Sequence, residues 1–238
     1  QEMTAFKLTS IAFLLAIAHF FYQSNGFTRY FNYMYRFWVC TPLLVLITFV
    51  ALHGGGLTRK DRSLLFIALS AGCIGDHVMG IAEEGVVPGA IAFGIGHIAY
   101  MLTFAPKTLE ISRNFALALL SFTVVTVCVC ILPLAKISII AVILMSVYAF
   151  ILAASVIYAA SQCWHGNSEH PAFSPGLNNR LLGFALFYLS DAVIIEDATL
   201  IKVPLANPII FLTYFSAQYL ILRAAIVCEQ LKAKRKSS

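Results

Sequence analysis

Two aspartates lie inside apolar segments that are long enough to enter a membrane, and acid–base chemistry is the natural use for them. Asp76 lies within Leu64–Ile81, and Asp191 lies within Leu181–Ile195. A carboxylate at bilayer depth costs roughly 2.5–3.5 kcal/mol on insertion scales, so such residues usually have a function. A carboxylic acid that donates a proton, with a second carboxylate that stabilises a cation or directs water, can cleave a C–O bond through an oxocarbenium-like centre. The sequence therefore predicts that Asp76 and Asp191 form a catalytic pair facing one polar cavity.

The two aspartates have different neighbours on their own helical faces. Small residues lie three or four positions from Asp76, which would let a substrate or a partner helix approach closely. Phe187 and Tyr188 would give Asp191 an apolar, aromatic wall, and Asp191 is therefore the candidate proton donor. The alternative is that each aspartate is a structural residue, bonded to a tyrosine or serine and holding helices together.

Two further polar pairs lie at helical spacing in later apolar segments. His97 and Tyr100 are three residues apart on one face, where they could orient an aspartate or bind a phosphate-bearing headgroup. Tyr214 and Gln218 are four residues apart and repeat the pattern. The alternative for His97 is an imidazole whose hydrogen bonds are satisfied inside the helix bundle.

Metal and cofactor chemistry have little support in the sequence. Asp76, Asp191 and His97 include types of residue that bind zinc, but no HxxxH or HExxH pair is present, so no metal and no cofactor are predicted. The six cysteines contain no CxxC motif and mostly fall in apolar segments, which favours buried apolar roles.

The composition predicts an integral membrane protein. Of 238 residues, 60% are hydrophobic and only 11% are charged, whereas a soluble domain has about 25% charged residues. The apolar runs are continuous and about 20 residues long, which indicates helices rather than membrane strands. No basic, aromatic-rich folded face is apparent, so nucleic acid is not an expected partner.

The apolar runs, together with the Gly and Pro residues at their ends, predict an all-α fold with eight transmembrane helices in a single domain over residues 1–238. The predicted spans are 6–22, 34–52, 63–82, 87–105, 114–132, 137–160, 180–196 and 205–227. Lys and Arg concentrate on one side of these spans, so both termini are predicted to be cytoplasmic, with a basic tail at 228–238. Lys234–Ser238 resembles a K-x-K-x-x retrieval signal, which favours the endoplasmic reticulum or another endomembrane; an ordinary basic stop is the alternative.

The two aspartate segments also hint at two parallel four-helix repeats. Arg62 precedes Asp76 much as Arg180 precedes Asp191, and four spans separate the two copies. At 1.5 Å per residue, Asp76 lies ~20 Å from Arg62 and Asp191 ~16 Å from Arg180, both in the non-cytoplasmic half of the membrane. His97 enters from that side and lies ~14 Å deep, so the polar residues are expected near one level.

Four segments carry a resemblance to a known family. They are GDHVMGI (75–81), FGIGHIAYMLTF (93–104), LGFALFYLSD (182–191) and LTYFSAQYLI (212–221). Together they resemble the signature blocks of YhhN-like membrane proteins, the lysoplasmalogenases. The resemblance implies an eight-span enzyme that hydrolyses the vinyl ether bond of lysoplasmalogen without a metal, giving a fatty aldehyde and glycerophosphocholine or glycerophosphoethanolamine. It also implies that Asp76 and Asp191 are essential and that His97, Tyr100, Tyr214 and Gln218 line the pocket.

The chain departs from the family pattern at two places. A lysine is common shortly before the proline of the second span, whereas here the base nearest to Pro42 is Arg36. An asparagine commonly follows the second aspartate by six positions, where this chain has Asp197. These departures leave the headgroup open, choline or ethanolamine.

The sequence as a whole predicts a membrane hydrolase whose partners are a lysophospholipid substrate and the surrounding lipid, in an oligomeric state that stays open. The alternative from another class is a proton-coupled lipid or small-molecule transporter that uses the intramembrane aspartates as a relay. Both carboxylates are predicted in the same half of the membrane, which weighs against a complete relay.

Overall fold

The computed structural model describes residues 2–81, 85–199 and 202–237, and helices account for most of them. Eight long helices follow one another along this part of the chain, and none of its residues belongs to a β-strand. The helices are α1 Glu2–Gln23, α2 Tyr33–Leu52, α3 Arg59–Met79, α4 Val86–Phe104, α5 Arg113–Thr126, α6 Ile139–His165, α7 Pro175–Thr199 and α8 Ala206–Ser237. The predicted all-α fold is confirmed.

Seven helical segments of the described chain are long and apolar enough to cross a membrane. Six of them correspond to α1 to α4, α6 and α8, and the seventh is Arg113–Lys136, which consists of α5 and the helical turns that follow it. The protein is therefore a multi-pass membrane protein. Helix α7 is less apolar because Arg180, Asp191, Glu196 and Asp197 interrupt it. The eighth crossing and the cytoplasmic placement of both termini remain predictions.

The observed helices lie close to the predicted spans, with two informative differences. Helix α5 ends at Thr126, and the chain continues as a π-helix over Val127–Ile131 and a 3₁₀-helix over Leu132–Lys136. Pro133 explains this change because it has no amide hydrogen to donate to an α-helical bond. Helix α8 continues to Ser237, well past the predicted end at residue 227.

Polar residues fix several of the helix ends. Asn32 Oδ1 accepts a hydrogen bond from the Tyr35 amide at 2.8 Å, and Thr58 Oγ1 accepts one from the Asp61 amide at 3.1 Å. At the end of α2, Arg62 Nε donates to the Val50 carbonyl at 2.8 Å. These bonds satisfy backbone groups that have no partner within their own helix.

The chain forms two compact units of four long helices each. The first unit is Gln1–Thr103 and contains α1 to α4, and the second is Phe104–Ser238 and contains α5 to α8. The division falls where the predicted repeat would divide the chain. The repeat and the single-domain organisation both remain predictions.

Glycines let α3 and α4 pack closely in the first unit. A Cβ added to Gly75 would lie 2.8 Å from the Phe93 ring, and one added to Gly96 would lie 3.1 Å from the Ala68 carbonyl oxygen. These contacts fix the register of the two antiparallel helices and therefore the relative depths of their polar residues.

Close packing at a glycine also joins α7 and α8 in the second unit. A Cβ on Gly183 would lie 2.8 Å from the Ile221 side chain. Nearer the other end of α7, Ser190 Oγ donates a 3.1 Å hydrogen bond to the Ile210 carbonyl. The serine that precedes Asp191 is thereby tied to α8.

The basic tail is held against the loop that joins α6 and α7. Lys232 Nζ lies 2.8 Å from Glu169 Oε1, Lys107 Nζ lies 3.1 Å from Glu169 Oε2, and Arg235 donates to the Glu169 carbonyl at 3.0 Å. Burial alone would raise the pKa of Glu169, but the hydrogen bonds from Lys232 and Lys107 outweigh it and lower that pKa. Glu169 thus explains why the end of α8 remains ordered as a helix.

His170 is buried beside this ionic cluster. It is 3% exposed, and neither of its ring nitrogens has a hydrogen-bond partner within the described chain. Burial lowers the pKa of His170, and the positive charges of Arg180, Arg235 and Lys107 act in the same direction against the opposing charge of Glu169. The imidazole is therefore neutral at physiological pH.

Arg180 lies near the start of α7 and is only 7% exposed. Its guanidinium donates to Gln162 Oε1 at 2.7 Å and stacks 4.7 Å above the Phe104 ring. Gln162 Nε2 in turn donates to the Phe104 carbonyl at 2.7 Å. Arg180 is thus part of a buried polar network at one end of the second unit.

Candidate functional site

Asp191 is buried in the second unit and hydrogen-bonded to a tyrosine from the neighbouring helix. Its exposure is 7%, and the Tyr148 hydroxyl on α6 donates to Asp191 Oδ2. Tyr148 is itself buried. Because a tyrosine hydroxyl that donates to Oδ2 blocks protonation there, the proton of a neutral Asp191 would sit on Oδ1.

A small cleft with a cavity volume of about 30 Å³ opens beside this pair. Helices α5, α6 and α7 form its walls, and Thr123, Tyr148, Leu152, Tyr188, Asp191 and Ile195 are among its lining residues. The Tyr188 hydroxyl lies 3.3 Å from Thr123 Oγ1. The cleft thus combines apolar walls with two carboxyl groups, those of Asp191 and Glu196, and the hydroxyls of two threonines and two tyrosines.

Asp76 is buried in the first unit, near the end of α3. It is 7% exposed, and its charge acts on the Tyr35 hydroxyl and the Cys40 thiol of α2. The Cys40 thiol donates to the Cys73 carbonyl at 3.3 Å, which links α2 to α3 one turn before Asp76. Asp76 therefore lies among side chains from two helices, with a phenol and a thiol nearby.

His97 and Tyr100 are both buried on α4 in the same unit as Asp76. Each is 1% exposed, and their rings meet edge to face with centroids 6.5 Å apart. Gly96, which precedes His97, packs against Ala68 and Ala71, and the Phe93 ring packs against Gly75 beside Asp76. The expected common level of His97 and Asp76 remains a prediction.

Tyr214 and Gln218 are buried on α8 in the same unit as Asp191, with exposures of 4% and 1%. The Tyr214 ring packs edge to face on Phe187, with centroids 5.4 Å apart, and Phe187 precedes Asp191 by one helical turn. The structure thus brings Tyr214 close to the face of α7 that carries the aspartate. Gln218 lies one further turn along α8.

The chain is similar to known proteins over most of its length. The model of the YhhN family matches residues 34–225, which is most of the chain. The chain belongs to the YhhN family. Among curated proteins it is similar to lysoplasmalogenase TMEM86A of Bos taurus, with 25% identity over 194 residues that cover 79% of this chain and 76% of that protein. No solved structure matches the chain.

The YhhN match contains all six predicted site residues. Three of them, Asp76, His97 and Tyr100, lie in the first unit, and the other three, Asp191, Tyr214 and Gln218, lie in the second. Each is buried, so none of the six is exposed on a lipid-facing surface. Their catalytic and binding roles remain predictions.

Two observations bear on metals and disulfides in this YhhN protein. Among the residues that the structure describes, no group of three or more His, Cys, Asp or Glu side chains could hold a metal ion. The six cysteines are all unbridged.

Sequence reasoning did not select three polar residues that the structure places beside the aspartates: Tyr148, Thr123 and Tyr35. Tyr148 lies in the long apolar run of α6, where a tyrosine resembles an ordinary core residue. The available signal was that a phenol in an apolar span requires a hydrogen-bond partner, and Asp191 satisfies this requirement.

Proposed function

We propose that this protein hydrolyses the vinyl ether bond of lysoplasmalogen within the membrane, with Asp191 as the acid and Asp76 as the carboxylate. The observation that carries the proposal is the buried Asp191, held by Tyr148 beside a small cleft in a chain of the YhhN family. The similarity to a lysoplasmalogenase supports the choice of substrate.

The proposed reaction begins with proton transfer from Oδ1 of Asp191 to the alkenyl carbon that is not bonded to oxygen. The electron pair of the C=C bond forms the new C–H bond, and the oxygen-bearing carbon becomes an oxocarbenium ion. Ionised Asp76 stabilises this cation and takes one proton from the water that attacks it. The C–O bond of the resulting hemiacetal to the glycerol oxygen then breaks: the glycerol oxygen takes the proton held by Asp76, and the hydroxyl proton returns to Asp191. The products are a fatty aldehyde and a glycerophospho-alcohol, and both aspartates are back in their starting protonation states.

Tyr148 has a positioning role in this scheme. As Asp191 loses its proton, its hydrogen bond from Tyr148 changes from a bond to a neutral group into a bond to a carboxylate, which is stronger. The bond therefore stabilises the charge that develops in the transition state more than it stabilises the starting acid.

Aldehyde release by the purified protein tests the proposal. The protein in detergent is given lysoplasmalogen with and without a chelator, and Asp76→Asn and Asp191→Asn are compared with Asp61→Asn, a control from the first turn of α3. We expect aldehyde release that is insensitive to chelator and falls at least about 100-fold in both site variants. Wild-type turnover in either site variant would overturn the acid–carboxylate mechanism. Proton flux in liposomes without any aldehyde would favour the transporter.

A further inference from the structure

Aromatic residues make up half of the lining of a second cleft, which lies in the first unit. It has a volume of about 190 Å³, and its four aromatic lining residues are Phe20, Tyr30, Tyr35 and Trp38. We call this the aromatic cleft. It lies where α1 turns into α2, and the amide side chains of Gln23 and Asn32 also line it.

The rings of the aromatic cleft are held in place by one another and by the turn. Tyr35 packs against Phe20 with centroids 5.6 Å apart and edge to face against Tyr30 at 6.3 Å. The Tyr35 amide is anchored to Asn32. Because α1, the turn and α2 each contribute a ring, the cleft is formed by the backbone fold rather than by one mobile side chain.

The aromatic cleft lies at the same end of the first unit as Asp76. Arg29, which precedes Tyr30, donates from Nη2 to the Met79 carbonyl at 2.6 Å. Met79 is three residues beyond Asp76, or about 4.5 Å along α3. The charges of both Arg29 and Asp76 act on the Tyr35 hydroxyl. The cleft, the two charges and the end of α3 therefore form one neighbourhood.

Arg36 supplies a second cation in this neighbourhood. A Cβ added to Gly80 would lie 2.7 Å from Arg36 Cγ, so the arginine stem packs against the end of α3. Its guanidinium carbon lies 5.6 Å from the centre of the Tyr33 ring, and its buried Nε has no hydrogen-bond acceptor in the described part of the chain. A buried N–H of this kind is suited to an anionic oxygen such as that of a phosphate.

The chemistry of the aromatic cleft distinguishes between cationic headgroups. A trimethylammonium group donates no hydrogen bonds and binds to aromatic faces, which is how proteins recognise choline. A primary ammonium instead has three N–H groups that need acceptors. None of the residues described as lining the cleft is a carboxylate, so a primary ammonium would find only neutral acceptors there, such as the side-chain carbonyls of Gln23 and Asn32, and Asn32 Oδ1 already accepts from the Tyr35 amide. The cleft therefore favours the quaternary headgroup.

We infer that the aromatic cleft binds the trimethylammonium group of a choline-type lysophospholipid, while Arg36 and Arg29 contact its phosphate. This inference rests on the proposed function, because it places the headgroup of the substrate beside Asp76. It makes the protein selective for choline over ethanolamine, a choice that the sequence left open.

Hydrolysis of choline and ethanolamine lysoplasmalogens by wall variants gives the first test. Trp38→Leu and Tyr30→Leu are expected to raise KM for the choline substrate about 5- to 10-fold and to change that for the ethanolamine substrate less than about twofold. Arg36→Gln is expected to raise KM for both substrates by a similar factor because they share the phosphate. Tyr22→Leu is the control, since Tyr22 is 80% exposed and lines no part of the cleft.

A binding measurement separates the aromatic cleft from catalysis. Trp38 is one of two tryptophans, so its fluorescence can be followed in a Trp164→Phe background. The protein in a maltoside detergent is titrated with dodecylphosphocholine or dodecylphosphoethanolamine, which have no vinyl ether. Stronger quenching by the choline compound, even without aldehyde release, would support the cleft and refute only the hydrolase. Equal quenching by the choline and ethanolamine compounds would overturn the proposal that the aromatic cleft binds choline. An equal loss of activity on both substrates in Trp38→Leu would overturn it as well. Trp38→Phe retains a ring and is expected to keep the preference, which excludes misfolding as the cause.

Discussion

Replacing Tyr148 with phenylalanine tests the contact on which the proposed mechanism depends. The change removes the hydroxyl that donates to Asp191 Oδ2 and keeps the ring that lines the cleft. If Asp191 is the acid, the hydrogen bond contributes most when the proton has left. We therefore expect the loss to appear in the chemical step.

The expected magnitude follows from the change in the strength of this hydrogen bond. A hydrogen bond between neutral groups contributes about 0.5–1.5 kcal/mol, and one to a charged group about 1.5–3 kcal/mol. The difference, about 1–1.5 kcal/mol, is the transition-state stabilisation that Tyr148→Phe removes. It corresponds to a fall in kcat of about 5- to 13-fold, with KM nearly unchanged because the substrate itself loses no contact.

The assay is steady-state aldehyde release with purified protein, and Tyr158→Phe is the control. Tyr158 lies on the same helix and is half-buried, but it does not line the cleft. Unfolding temperatures of both variants show whether either protein is damaged. A wild-type kcat in Tyr148→Phe, or an equal fall in Tyr158→Phe, would refute the positioning role.

Three further outcomes follow from contacts outside the acid pair. His170→Phe should make the unfolding temperature less sensitive to acidification from about pH 7 to pH 5. Because the pKa of His170 is lowered in the folded protein, the unfolded chain binds the proton first as the pH falls below the ordinary histidine pKa of 6.5, and this destabilises the fold. An unchanged pH dependence in the variant would contradict this. Glu169→Gln should release the end of α8 and speed tryptic cleavage at Lys232, with unfolding free energy reduced by less than about 1 kcal/mol; an equally protected tail would contradict it. Gly75→Ala should cost about 1–3 kcal/mol of stability, since its Cβ would press on the Phe93 ring at 2.8 Å; an unchanged unfolding temperature would show that the ring can move.

The helices could be predicted from sequence because their signals are local. Continuous apolar runs set their number, and residues such as Pro133 and the glycines after α2 set their ends within a few positions. The extension of α8 could not be predicted in this way. It depends on Glu169, which is distant in sequence and draws Lys232 and Arg235 onto the loop.

The candidate site was predictable only in part. Asp76 and Asp191 are conspicuous because a carboxylate is costly in an apolar segment. The partnership of Asp191 with Tyr148 depends on how α6 and α7 are rotated, which no local pattern encodes. The depth of His97 stays a prediction, because a count from Pro88 does not include the contacts of Gly75 and Gly96 that determine the position of α4 along α3.

A double-mutant cycle in Asp76 and Asp191 tests most directly the claim that both aspartates act on one substrate bond. Rates of aldehyde release are measured for Asp76→Asn, Asp191→Asn and the double variant under identical detergent conditions. Residues that act as a unit are strongly non-additive, so the double variant should be scarcely slower than the slower single variant. Losses that multiply in the double variant, or a single variant that turns over at the wild-type rate, would contradict a shared catalytic step.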